Sequence, residues 1–85
     1  MARGTIRYWA AAKAAAGTAD EEYDASTLAE ALALARRRHP TDDFTRVLSR
    51  SSFLIDGEPV GTRSHVEVAL PEGGTVEVLP PFAGG

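Results

Sequence analysis

The chain contains no cysteine. Disulfide staples, thiolate metal sites and a cysteine nucleophile are therefore excluded together. It also lacks a G-x-x-x-x-G-K-[ST] loop and a dinucleotide fingerprint, so neither of those devices is present to hold a nucleotide. Long apolar runs are missing: the longest are alanine-rich and far too short to span a bilayer. Arg3 precedes a β-like segment rather than the apolar stretch of a secretory signal. These absences predict a cytoplasmic protein with no membrane partner. A basic excess is lacking as well, since nine Lys and Arg against twelve Asp and Glu leave a net charge of −3. That balance argues against nucleic acid. The Arg36-Arg37-Arg38 run is the exception, and it reads as a complement to the C-terminus of a helix.

Catalytic constellations are equally scarce. His39 and His65 stand alone in the sequence, away from each other and from any carboxylate pair. Neither is a strong candidate for ligand or general base. Asp42-Asp43 reads as helix capping rather than a metal site. No metal site and no Ser/His/Asp set is expected.

What remains is an ordinary globular composition, 44% apolar and 25% charged over 85 residues. A chain of this size forms one domain and buries roughly 60–65% of its unfolded surface. One modest core fits; a deep enclosed active site does not. The expectation is a protein carried to an enzyme, not catalytic alone.

Taken in order, Thr5 to Ala10 alternates as a first strand, with Ile6, Tyr8 and Ala10 on one face and Thr5, Arg7 and Trp9 on the other. The alanines from Ala10 to Ala16, closed by Gly17, predict a short helical turn. Asp20 to Asp24 reads as an acidic edge strand. Thr27 and Glu30 fit a capping box, and Leu28, Ala31, Leu32 and Ala35 succeed them at helical spacing up to His39 and Pro40. Thr41-Asp42 caps a second short helix that points Phe44, Val47 and Leu48 at the core. Ser52 to Ile55 is a strand, Asp56-Gly57 a tight hairpin turn, and Glu58 to Val60 its partner. Val66, Val68 and Leu70 alternate in a further β-like run. Pro71 to Gly74 turns into the closing strand, Thr75 to Leu79.

That strand leads into a segment no fold requires. Pro80 and Pro81 cannot donate to a ladder, so they end it and hold the last residues of the chain extended. Phe82 is the only large side chain left before Ala83-Gly84-Gly85. Glycine at the last two positions would let an extended tail enter a narrow cleft without a Cβ clash. The run Leu79-Pro80-Pro81-Phe82-Ala83-Gly84-Gly85 resembles the C-terminus of the MoaD/ThiS family of sulfur carriers, and within it the molybdopterin synthase small subunit.

The resemblance implies a ubiquitin-like β-grasp fold of the α+β class: a mixed sheet, one main helix packed on one face, first and last strands parallel at the centre, and a flexible tail over 80–85. It implies that an E1-like enzyme, using ATP and Mg, adenylates the Gly85 carboxylate and that sulfur then replaces oxygen to give a thiocarboxylate. Pro80, Pro81, Phe82, Ala83 and Gly84 would enter the partner, and the larger catalytic subunit of molybdopterin synthase would receive the sulfur. The chain itself would bind no cofactor. Without cysteine, a sulfur cargo could ride only on that end carbonyl. Trp9 and Leu79, expected outward where the tail departs, are candidates for docking. Lys13 matches the basic residue of the family's Ala-x-x-Arg/Lys stretch, although the Glu that often comes after it is absent; pairing with an acidic partner and plain solvation both fit it. Carriers for thiamine, cysteine or secondary-metabolite synthesis, a ubiquitin-like modifier and a bare interaction module are the alternatives.

Overall fold

Ile6 and Tyr8 are buried while Arg7 between them is exposed, the period-two signature of a strand with one covered face. In the computed structural model, which describes residues 1–81, that strand is β1, Ala2–Tyr8. After it come α1 (Ala10–Ala16), β2 (Asp20–Ala25), α2 (Leu28–Arg38), α3 (Asp42–Arg50), β3 (Ser52–Ile55), β4 (Glu58–Pro59), a 3-10 turn at His65–Glu67 and β5 (Thr75–Leu79). The strands form one five-stranded sheet in the order β2-β1-β5-β3-β4. β1 and β5 run parallel at its middle, with Ile6 opposite Val76 and Tyr8 opposite Val78; the other neighbours are antiparallel. This is the expected mixed β-grasp sheet, with acidic β2 at an edge.

The helices cover the face carrying Ile6, Tyr8, Tyr23, Phe53, Val76 and Val78, and Leu28, Ala31, Leu32, Ala35, Phe44 and Leu48 complete the core. No polar or charged residue is buried among the described residues. Thr27 caps α2 by accepting from the Glu30 N–H at 3.2 Å. The reciprocal arm lands one residue early: Glu30 accepts from the Ser26 N–H at 2.7 Å. Asp56 and Gly57 take φ of 50° and 83°, the positive pair a tight hairpin demands. The Asp56 carboxylate accepts from the Thr75 N–H at 2.8 Å, tying that hairpin to β5.

Several expectations need correction. β1 begins at Ala2 and stops at Tyr8. Ala10 leaves the strand at φ 49° to start α1, so it does not continue the face of Ile6 and Tyr8. Val66 to Leu70 is not a strand: a 3-10 turn at His65–Glu67 leaves Val66 exposed, and only the final two apolar residues, Val68 and Leu70, are buried. Val47 packs against the core as expected but stays half-buried. His39 is not isolated. Folding places its Nε2 2.9 Å from Glu21 of β2 and its ring 5.0 Å from Phe44.

Candidate functional site

The sheet end at which β5 gives way to Pro80 and Pro81 gathers most of the sequence candidates that lie within the described residues. Tyr8 is the last residue of β1, but the ladder runs one step further: the Trp9 N–H donates to the Val78 carbonyl at 3.2 Å. Trp9 is thereby fixed beside the end of β5. Its side chain remains exposed, at 44% for the residue, on the face away from the helices, where Nε1 donates to Glu77 Oε1 at 3.0 Å. That bond satisfies the ring's one polar atom and leaves its apolar area presented to solvent.

Along β5, Thr75, Glu77 and Leu79 alternate with buried Val76 and Val78, so Leu79 shares the open face with Trp9 as expected. It is half-buried rather than exposed. β5 is a central strand, and Leu79 is flanked by Ser52 of β3 on one side and the end of β1 on the other. Leu54, opposite Glu77 in β3, adds a second half-buried leucine. Sequence reasoning missed Leu54, because only the strand register shows which side it takes.

Lys13 stands one turn past Trp9, its N–H donating to the Trp9 carbonyl at 3.3 Å. It is exposed in α1, where its carbonyl accepts from the N–H of Gly17, the left-handed cap of that helix, at 2.9 Å. Its ammonium makes no ion pair among the described residues. Pro80 is half-buried and Pro81 exposed. Phe82, Ala83, Gly84 and Gly85 lie outside the described residues.

The scaffold beneath Trp9 is held by a polar knot at the rim of the core. The Tyr8 hydroxyl donates to Glu21 Oε2 at 2.5 Å, the same oxygen that His39 meets, and Arg38 approaches the other carboxylate oxygen at 3.7 Å. Burial first, and then the hydrogen bond to the Glu21 carboxylate, push the Tyr8 phenol well above its ordinary range. The Tyr8 ring stands edge-on to both His39 and Phe44. β1, β2, α2 and α3 thus converge on the residue immediately before Trp9. No group of three His, Asp or Glu side chains is placed to hold a metal ion among the described residues, and no helix there is long and apolar enough to cross a membrane.

This arrangement presents a surface. It brings an exposed indole and two half-buried leucines to the point where a proline-stiffened segment leaves the body. The model of the ThiS family matches residues 6–85, nearly the whole chain. The chain belongs to the ThiS family. This ThiS-family protein is a MoaD/ThiS-type sulfur carrier, the family that its tail resembles. No curated protein sequence matches it at a significant level.

Solved structures agree on the β-grasp fold. Small archaeal modifier protein 1 from Methanosarcina acetivorans superposes with a TM-score of 0.84 at 20% identity, covering 100% of this chain and 98% of that one. A chain of the BexX/CysO complex from Amycolatopsis orientalis gives 0.76 at 20%, covering 95% and 98%. A chain from the complex of subunits 1 and 2 of molybdopterin-converting factor from Helicobacter pylori 26695 gives 0.71 at 17%, covering 98% and 99%.

Proposed function

We propose that this ThiS-family chain carries sulfur on the carboxyl group of Gly85 for the synthesis of molybdopterin, in the cytoplasm. The observation that carries the reading is the position of the exit. A central strand, locked by β1 on one side and β3 on the other, ends in Pro80-Pro81 beside Trp9 and Leu79, and the sequence then runs to Gly84-Gly85.

The chemistry is set by the group on offer. A carboxylate does not yield to a sulfur nucleophile, because oxide would have to leave. When a partner enzyme supplies ATP, the Gly85 carboxylate attacks the α-phosphorus, pyrophosphate departs and an acyl-adenylate results. Hydrosulfide then adds to the acyl carbon and AMP leaves, giving the thiocarboxylate; a persulfide donor gives an acyl disulfide that a second thiol cleaves to the same product. Apart from Gly85, the chain's own residues position rather than react. Pro80 and Pro81 hold the tail extended, Phe82 fills a partner pocket, Ala83 and Gly84 pass through a narrow channel, and Trp9, Leu79 and Lys13 contact the partner body. The larger synthase subunit receives the tail and works on the pterin precursor. The double proline with an aromatic after it favours the molybdopterin branch, and the fold likeness to a subunit of molybdopterin-converting factor is in keeping with it.

The test is intact-mass analysis after incubation with the E1-like enzyme, ATP and a sulfur donor, and then after addition of the large synthase subunit and pterin precursor. One oxygen replaced by sulfur, then lost on transfer to the pterin, is the expected result. Lysine-linked adducts would make the chain a modifier. A loaded chain that donates only to a different acceptor would move it to the thiamine, cysteine or secondary-metabolite branch. No mass change would leave a bare interaction module.

A further inference from the structure

On the helical side of the exit, Pro80 and Pro81 form one wall of a shallow recess whose other walls are Ala11 of α1 and Arg46, Val47 and Arg50 of α3. It holds about 170 Å³, below the roughly 300–1,000 Å³ of small-molecule pockets. Its size suits one or two side chains, not a nucleotide. Four of the six lining residues are apolar, and the other two are the arginines. Arg46 and Arg50 are four residues apart and so share one face of α3.

Neither arginine is consumed by the fold. Arg46 meets Asp43 at 2.8 Å, but both side chains are more than half exposed, at 56% and 63%, where such a pair is weak. Arg50 makes no ion pair among the described residues. Its place in the last turn suits the helix dipole, but the dipole does not account for a second arginine one turn earlier on the same recess. The setting sharpens the contrast. The chain is acidic overall, and Asp20, Glu21, Glu22 and Asp24 crowd onto β2 at one edge of the sheet. A cationic recess beside the tail therefore favours an acidic partner in one orientation.

We propose that this recess docks an acidic, apolar-tipped segment of the adenylating enzyme. A leucine- or phenylalanine-sized side chain rests on Ala11, Val47 and the two prolines, and carboxylates on either side of it meet Arg46 and Arg50. The inference rests on the proposed function only through adenylation, the step shared by every sulfur carrier and modifier branch of that reading. Because Pro80 and Pro81 are both wall of the recess and start of the tail, an occupant also fixes the direction in which the tail sets out. That preorganisation lowers the cost of threading it into the enzyme.

The experiment compares wild type with the Arg46→Glu/Arg50→Glu and Arg46→Lys/Arg50→Lys proteins in ATP–pyrophosphate exchange by the E1-like enzyme, at low and high salt. The charge-reversed protein is expected to raise KM about tenfold at low salt with kcat little changed, and to lose most of the wild type's salt dependence. The lysine protein should stay within a few-fold of wild type. Both substituted positions are exposed, so matched circular dichroism melts should exclude unfolding. A KM within twofold of wild type for the charge-reversed protein overturns the docking proposal while leaving the carrier reading intact. A lowered KM also overturns it, and assigns the recess to this chain's own tail instead. If even the wild type supports no exchange, the carrier reading itself fails and the docking proposal with it.

Discussion

The two ends of the sheet are built to opposite specifications. At the end away from the tail, Gly4 packs so tightly that an added Cβ would lie 2.4 Å from the Gly74 carbonyl oxygen and 2.4 Å from the Tyr23 hydroxyl. Tyr23 is buried there and donates to the Pro71 carbonyl at 2.8 Å, and the Gly73 N–H closes onto the Arg3 carbonyl at 2.6 Å. At the tail end the chain leaves apolar area uncovered: Trp9 stands out, and Ala10 turns away at a positive φ that an L-residue adopts only at a cost. One end spends its residues on closure and the other on display. Stability and recognition are therefore separable by substitution.

The sharpest break in that comparison is removal of Gly85. Loading with sulfur should fall below detection by intact mass, while the thermal midpoint stays within about 1 °C; a shift of about 4–8 °C, corresponding to roughly 1 kcal/mol in a domain of this size, would mean that the tail belongs to the fold. At the closed end, Gly4→Ala should destabilise by about 1–3 kcal/mol through overpacking, read by urea denaturation, with affinity for partner enzymes unchanged in the fraction that remains folded. Trp9→Ala should do the converse. As a central aromatic of a docking patch it should weaken partner binding by about 2 kcal/mol, read by calorimetry, and cost less than that in stability. Equal losses in both readouts would erase the distinction between the ends.

A smaller effect concerns the knot under Trp9. The Tyr8 phenol titrates higher in the folded chain than in the unfolded one, where it sits near pH 10. The folded state thus favours the protonated phenol. The stabilisation is complete below pH 10 and is lost as pH rises past it, by up to about 1.4 kcal/mol for each pH unit. Burial raises the Tyr23 phenol in the same direction, with Asp56 and Glu72 adding to it. Denaturation midpoints measured from pH 9 to 11 should fall for wild type and fall less steeply for Tyr8→Phe. Identical slopes would mean that the Tyr8 proton contributes nothing to stability in this range.

Much of this was legible in the chain because its local signals agree with the final packing. The Thr27 cap, the Asp56-Gly57 turn and the apolar alternation of β1 and β5 each name one conformation, and each is found. The failures lie where alternation is a by-product. Val68 and Leu70 are inward for reasons of packing around the Thr27–Ala69 bridge, so extending their period back to Val66 invented a strand. His39 looked solitary because Glu21 is eighteen positions away in sequence and only the return of α2 over β2 joins them. The recess at Arg46 and Arg50 was hidden for a similar reason. Three separate segments make it, and α3 by itself reads as an ordinary amphipathic helix. At the exit, the alternation located Trp9 and Leu79 on one face but not the shielding of Leu79, which depends on strand order.

Thr5 pairs with Thr75, so the middle of the sheet cannot exist until the two extremes of the sequence meet, and closing so long a loop comes at a high entropic cost. An unfolded copy bears the same diglycine but not the indole next to its root. Under the proposed function, an activating enzyme that gripped both would inspect the conformation of its client before committing ATP, and misfolded copies would go unloaded without any separate checkpoint.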